Sequence, residues 1–432
     1  MCGWNLDTTR SFFPGSLSQG CAILEGMRGA TNHLTSGQRV AYYRKRRGIT
    51  QDALAGLVGR TVSWVEKIES GRAPLDRVSI LAQIAKVLDL SIYDLLPDDV
   101  APVAEDTRSR SVPNLREQLL SYRFVNPRFL PHRPDPVSIT VLRREVSGVW
   151  DAYQRARFPY VIADLQRLLP IAHSTMIANG GTARAAAAVQ MAYLYQVAAT
   201  ILPKLGEQDL AMICADNGDR LVQDSRDLAA RISIQRTIAH ALHSNAQYND
   251  ALAVIDQAVS SVAHHHGGNP ELVSAIGTIH LVGAMASARA GDRQMANSHI
   301  EHANVAASQL GRDANYLWTA FGPTNVRIHE VSVAAELGDY QRASRLGSAV
   351  DVSRMPVERQ VRHRLEVARA HNYQRRHAEA IQLVLDAERE APDQVHRHFL
   401  THSLVHSWIR SSRVRPTPEL TRLARATGIV SR

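Results

Sequence analysis

The sequence predicts an all-α chain, built as a small helical head followed by a long array of paired helices. Three observations predict it. Residues 50–71 read as two short helices joined by a tight turn. From Val137 onward, apolar residues recur at helical spacing between Gly and Pro breakers, in segments of roughly 15–22 residues, the size of a packed surface helix. No alternating apolar and polar run marks a strand. At 432 residues the chain has room for two or three domains and a sizeable core.

Composition narrows the function classes before any motif is read. The formal charge is +9, and basic chains favour polyanions such as nucleic acid. Its placement is sharper evidence: residues 36–72 hold eight Arg/Lys against three Asp/Glu, a net +5. Only four lysines occur in the chain, a bias that points to a GC-rich genome rather than to a mechanism. Cys2, Cys21 and Cys214 are few and widely spaced, which argues against a disulfide framework or a metal knuckle. No apolar run of membrane-spanning length is read, and the N-terminus lacks the basic-then-apolar order of a secretion signal. The expectation is a cytoplasmic protein with no membrane partner.

Residues 1–34 are rich in Gly, Ser and Thr and sustain no period, so they read as disordered or as an upstream over-annotation, with Met27 as the start. The head spans 35–97. Its first helix, 36–47, carries apolar Val40 and Tyr43 and ends in Arg44-Lys45-Arg46-Arg47 before Gly48. Basic residues suit the dipole at a helix C-terminus, but four in a row beside the next element favour phosphate contact. In residues 50–71, Thr50 caps a helix with Leu54, Ala55 and Val58 on its apolar side, and Gly59 supplies the left-handed turn. Thr61 caps a second helix with Val62, Val65 and Ile68 at i, i+3, i+6. A small residue at Ala55, glycine four later and a polar-tipped helix form the signature of a helix-turn-helix, whose second helix lies in the DNA major groove. Pro74 then breaks the chain, Asp76 caps a helix through Leu88, and Ser91 caps a last short turn at 92–96.

These residues resemble the Xre/Cro family of phage-repressor-like domains over about one seventh of the chain. Gln51 matches the glutamine opening the family's second helix, Ala55 and Gly59 its packing and turn positions, and Glu69-Ser70-Gly71 its closing motif. The resemblance implies a five-helix lambda-repressor-like DNA-binding domain and a structural pair between Arg44 and Glu69. It places Thr61, Val62, Ser63 and Lys67 at the groove and Gln51 on the DNA backbone; Arg44, Lys45, Arg46 and Arg47, with Arg60 and Trp64, are also expected at the DNA. Thr and Ser hydroxyls can pair with several base edges, Val62 can touch a thymine methyl, and Lys67 can reach guanine or phosphate. Trp64 departs from the family pattern, where a smaller residue is usual; it packs either on sugar-phosphate or on a neighbouring helix.

Residues 98–136 read as a Pro-rich linker, with six prolines between 101 and 136 and one brief amphipathic piece at 115–122. Residues 137–432 read as the array. Four turn-to-helix junctions align on Ala251, Ala296, Ala343 and Ala380, spaced by 45, 47 and 37. Gly291 and Gly338 precede two of them by five. Small residues at such points let the two helices of a hairpin approach. The pattern is similar to the tetratricopeptide repeat, which stacks hairpins into a superhelix. With its head, the chain looks like large actinobacterial regulators that join an Xre-type domain to a helical region.

No serine, cysteine or carboxylate arrangement reads as catalytic, so no enzyme, cofactor or metal is expected. His264-His265-His266 reads as a loop between hairpins. His398, His402 and His406 fall at i, i+4, i+8, a spacing zinc can use, but Phe399, Leu400, Leu404, Val405 and Trp408 on the same helix favour packing. The aromatic residues of the array, Trp150, Tyr153, Trp318 and Tyr340 among them, read as core, and the basic tail from Arg410 as a solvated helix end. The expected function is a sequence-specific transcriptional regulator on double-stranded DNA. One such module reads few base pairs, so a homodimer is expected. The array would dimerise, sense a peptide or small-molecule effector, or both. The alternative is an interaction scaffold that has turned a helix-turn-helix to protein docking.

Overall fold

A computed structural model describes residues 34–75, 77–88, 90, 95, 111–120, 134–264, 268–411, 414–415 and 417–429. The N-terminal reading with Met27, the Asp76 cap, the turn at 91–96 apart from Leu95, and His265 and His266 lie outside those residues. Among the described residues all regular structure is helical, apart from one isolated bridge between Ala314 and Phe321.

The head holds α1 (Ser36–Arg46), α2 (Gln51–Leu57), α3 (Val62–Glu69) and α4 (Val78–Val87). Each of the first three starts where a threonine can take an orphan amide. Thr35 and Gln38 form a reciprocal capping box, Thr50 Oγ1 accepts from the Ala53 amide, and Thr61 Oγ1 accepts from the Trp64 amide. Val40, Leu54, Val65, Ile68, Ile84 and Leu95 close one core. Full burial of each aliphatic side chain contributes about 1.5–3 kcal/mol. Gly37 lets α1 cross the end of α3, because a Cβ there would run into the Ile68 carbonyl.

The array is a run of six hairpins. They pair α6 (Ile139–Gln154) with α7 (Phe158–Ala178), α8 (Gly181–Ile201) with α9 (Gln208–Val222), and α10 (Leu228–Ser244) with α11 (Tyr248–Ser261). Then come α12 (Pro270–Ala290) with α13 (Arg293–Leu310), α14 (Pro323–Glu336) with α15 (Tyr340–Ala349), and α16 (Val357–Tyr373) with α17 (His377–Glu390). All six turn the same way. Each turn holds a left-handed residue, and the amide after it reaches back five residues, as Asp292 does to Ser287 and Arg376 to His371. The left-handed residues are Ala156, Gly206, Ala246, Gly291, Gly338 and Arg375. Five residues on, Val161, Ala211, Ala251, Ala296, Ala343 and Ala380 are all buried against the preceding helix. The expected four junctions are thus members of six. The chain closes with α18 (Pro392–Arg397), α19 (Phe399–Ile409) and α20 (Pro418–Ala426).

Two sequence expectations need amendment. The stretch read as linker contains α5 (Ser111–Leu120), whose Val112, Leu115 and Leu119 are buried in the core of the first hairpins. Its short apolar stripe suffices because α7 offers a matching face. Two segments, Gly181–Leu205 and Pro270–Ala290, are in fact long and apolar enough to cross a membrane by length and composition. Yet 78% and 89% of their apolar windows are buried inside the protein. They are central helices flanked by others on several sides, so most of their Ala-rich surface faces protein, with the first turn of α8 exposed. Gly277 in α12 makes room for the fully buried ring of Phe321.

The head rests on the fifth hairpin. Ser79 Oγ donates to Glu336 Oε1 at 2.9 Å and Arg77 Nε donates to the Tyr340 hydroxyl at 3.0 Å. Glu336 in turn meets Arg369 Nη1 at 3.4 Å, and the Tyr340 ring stacks on Tyr373 at 3.8 Å.

Candidate nucleic-acid interface

The α2–turn–α3 unit is held from behind by a buried ionic network. Arg44 Nε donates to Glu69 Oε1 at 2.6 Å, and its Nη2 donates to Oε2 at 2.8 Å. Its Nη1 donates to the Ile49 carbonyl at 2.8 Å. Gln51 Nε2 adds a third donor to Glu69, at 2.8 Å on Oε2. The hydrogen bonds to Glu69 raise the Arg44 pKa against the opposing effect of burial. A paired, fully bonded guanidinium and carboxylate can tolerate this burial, whereas either partner left alone could not. The network ties the end of α1, the start of α2 and the end of α3 into one rigid piece.

Arg44 was expected at the DNA as well as in the pair with Glu69. It is only 6% exposed and its donors are committed to Glu69 and the Ile49 carbonyl, so the geometry fits the pair and not a place on the exposed surface. Gln51 is half-buried with its amide on Glu69, where it positions α3 from the side.

The remaining residues lie on the surface. Lys45, Arg46 and Arg47 are exposed at the end of α1, with Arg46 Nη1 donating to the Tyr42 hydroxyl at 3.2 Å. Arg60, Thr61, Ser63 and Lys67 are exposed along the turn and α3, and Val62 is half-buried. Gly59 is left-handed at φ 61°, and the Arg60 amide returns to the Ala55 carbonyl at 2.8 Å, so the turn aims Arg60 and Thr61 outward. Trp64 is half-buried against the head core and lies under the Arg60 guanidinium, 5.8 Å from ring centre to carbon. Of the two placements expected for Trp64, this is the intramolecular one. The arrangement presents two hydroxyls, the methyls of Thr61 and Val62 and five cations along the end of α1, the turn and α3, groups that can touch phosphates and base edges.

Residues 37–95 match the family model described as a helix-turn-helix domain. The chain is thus a helix-turn-helix head on a helical-repeat body. No curated protein matches it. Among solved structures it is similar to a Rap protein complexed with competence and sporulation factor, with a TM-score of 0.43 and 11% identity, over 67% of this chain and 88% of that one. It is also similar to PlcR of Bacillus thuringiensis in complex with the peptide PapR7 and DNA, with a TM-score of 0.31 and 15% identity, over 74% of this chain and 96% of that one.

The histidines of α19 do not converge. His398 accepts from the Leu400 amide at the helix start, and His402 Nε2 bonds the His396 carbonyl at 2.7 Å. Among the described residues no three His, Cys, Asp or Glu side chains gather as a metal site. Sequence reasoning missed a different cluster. Arg236, Arg359 and Arg362 meet on the inner face of the array, with Trp150, Tyr153 and Trp318 beside them. More than a hundred residues separate Arg236 from the other two, and no local spacing marks them.

Proposed function

We propose that the chain is a sequence-specific transcriptional regulator of the Xre type, working in the cytoplasm as a homodimer on double-stranded DNA. The observation that carries this reading is the recognition edge: exposed Thr61, Ser63 and Lys67 on a helix that Arg44, Glu69 and Gln51 hold rigid. Lys45, Arg46, Arg47 and Arg60 flank it as phosphate anchors, which makes affinity depend on salt. The edge offers few bidentate readers, so two heads on a two-fold site supply the specificity that one lacks.

The six hairpins would carry the partner copy and an effector. The first helices of all six surround one inner cavity, and the head is bonded to α14 and α15, so a ligand there would act on elements that touch the head. Random-oligonucleotide selection with the full-length protein tests the reading. Enrichment of a two-fold motif supports it; absence of any enriched motif favours a docking scaffold instead.

A further inference from the structure

The inner cavity has a volume of about 80 Å³ and an uneven charge. Four cations meet one carboxylate there: Arg236 on α10, Arg359 and Arg362 on α16, and Lys204 next to Glu358. The carboxylate is already committed. Lys204 Nζ donates to Glu358 Oε1 at 2.7 Å. Although burial opposes its ionisation, Lys204, Arg359 and Arg362 hold its pKa far below the usual carboxylate range. Arg359 uses Nη1 on Asn325 Oδ1 at 2.8 Å, and its buried Nε lies 3.8 Å from Glu358 Oε2, an ion pair with no hydrogen bond. Arg236 also has a buried, unbonded Nε, and among the described residues neither Arg236 nor Arg362 has an ion-pair partner.

The histidines around the cavity do not supply a negative charge, and they avoid adding a positive one. Burial together with the Arg cations pushes His240 down to about 3 and His329 well below its ordinary value. Burial and Arg359 lower even Arg236, to about 10. Arg236, Arg359 and Arg362 are half-buried, and like charges gathered in such a place repel one another unless something compensates them. An arginine cluster with unused donors in a small cavity is the usual answer to a planar or tetrahedral oxyanion.

The wall opposite is built with strain. Leu317, Trp318 and Ala320 are left-handed at φ 51°, 55° and 46°, in one loop between α13 and α14. Non-glycine residues in that conformation cost about 1–2 kcal/mol each. Gln154 pins the loop through Asn315 and the Trp318 carbonyl, at 3.0 Å for each. The result is Trp318 stacked flat on Trp150, 5.4 Å apart and 6° from parallel, both lining the cavity.

We infer that this cavity binds a compact oxyanion, the phosphate or carboxylate group of a small effector, between the guanidinium groups of Arg236, Arg359 and Arg362. The volume takes an anionic group rather than a whole peptide, and the hydroxyls of Thr237 and Thr278 at its lining already donate to the Ser233 and Ser274 carbonyls, so the guanidinium groups are the donors for it. This deepens the effector reading above and rests on it for its regulatory meaning. The binding itself is measurable without DNA.

The test is calorimetric melting of the full-length protein near neutral pH, titrated with inorganic phosphate or with succinate, against chloride at matched ionic strength. A saturable rise in Tm beyond the chloride control is expected. Phosphate alone acting assigns a phosphate group, and succinate alone a carboxylate. R362Q should melt at the same temperature or higher in chloride, because it relieves like-charge repulsion, and should bind about ten-fold more weakly or worse. R362K, which keeps the charge and loses the planar fork, should also bind more weakly, and it covers the case in which R362Q fails to fold. If neither anion outdoes chloride on the wild type, or the variants respond as the wild type does, the inference is wrong. A failed DNA selection would leave this result untouched.

Discussion

The hydroxyl of Ser79, in the first turn of α4, bonds Oε1 of Glu336 at the last turn of α14, across 257 residues of chain. Both groups are buried, and the Ser79 amide faces the same oxygen at 3.4 Å. Burial alone would raise the Glu336 pKa, but Arg369, Arg289 and the two Ser79 donors outweigh it and hold the pKa below normal. The head is therefore seated on the array through an ionised carboxylate. Ser79→Ala strips Oε1 of this hydroxyl donor and should cost about 1–3 kcal/mol, the penalty for an under-bonded buried polar group. The loss should appear as faster amide hydrogen exchange along α4 and α14 with α2 and α3 unchanged. Unaltered exchange at α4 would show that the Ser79–Glu336 bond does not hold the head.

The cations of the head divide into one that holds and several that face outward. Arg44→Ala leaves Glu69 buried with only Gln51, and breaking such a pair costs about 3–5 kcal/mol. Arg46→Ala, at an exposed site, should stay within about 0.5 kcal/mol of wild-type stability. Its effect should fall on DNA: weaker binding across all sequences, and a salt dependence shallower by about one in log–log slope for each phosphate the protein no longer neutralises. Urea denaturation and salt-titrated binding of both variants separate the two roles. Equal destabilisation by the two substitutions would refute the division.

The six hairpin turns set up a substitution series with opposite signs. Ala246 and Arg375 occupy the left-handed position at φ 60° and 62° that Gly291 and Gly338 fill at 85° and 86°. Ala246→Gly and Arg375→Gly should stabilise the protein by roughly 0.5–1 kcal/mol each, the relief of left-handed strain less the added unfolded-state entropy. Gly291→Ala should destabilise by a similar amount. Gly338→Ala should do worse, because its Cβ would strike the Arg77 guanidinium that holds Tyr340. Thermal melts of the four variants check the order, and a loss of stability in Arg375→Gly would contradict it.

The same turns show what the sequence makes legible and where it stops. Four hairpins align because an alanine five residues past each turn must touch the helix before it, a constraint on residue size. The hairpin at Ala156 escapes because its anchor is Val161, and the one at Gly206 because Pro203 and Gly206 read only as a break. The first three helices of the head are legible, since caps, turn glycine and core spacing are all local; α4 departs, because its N-cap is Arg77, with no side-chain capping bond, and not Asp76. Resemblance supplies the Arg44–Glu69 partnership, while only the structure shows that it uses up Arg44. The arginine cavity is invisible in the sequence: its residues belong to different hairpins, and superhelical closure, which brings α6 against α16, leaves no sequence period. Gly37 and Gly277 are likewise unmarked, because a close approach depends on the element opposite.

Acid should unfold this protein through its buried histidines. Burial, aided by neighbouring cations where these occur, pushes His240, His280 and His398 down to about 3 and His402 down to about 4. In the unfolded chain they titrate at about 6.5. Between those values the unfolded state binds protons that the folded state refuses, so stability rises with pH and is lost as pH falls from about 6.5 towards 4. Each such histidine contributes up to about 1.4 kcal/mol per pH unit in that window. The depressed carboxylates Glu336 and Glu358 add to the loss only at lower pH, below the unfolded carboxylate range. Urea midpoints should therefore drop steeply between about pH 7 and pH 5.5, before carboxylates titrate. His402→Gln can still donate to the His396 carbonyl that His402 Nε2 meets at 2.7 Å, and cannot take up a proton on unfolding. It should flatten the slope by up to one proton while leaving stability at neutral pH within about 1 kcal/mol of wild type. A midpoint that does not move over that interval would mean that these imidazoles are charged inside the fold, in conflict with their burial and, for His240 and His398, with the nearby Arg362 and Lys204.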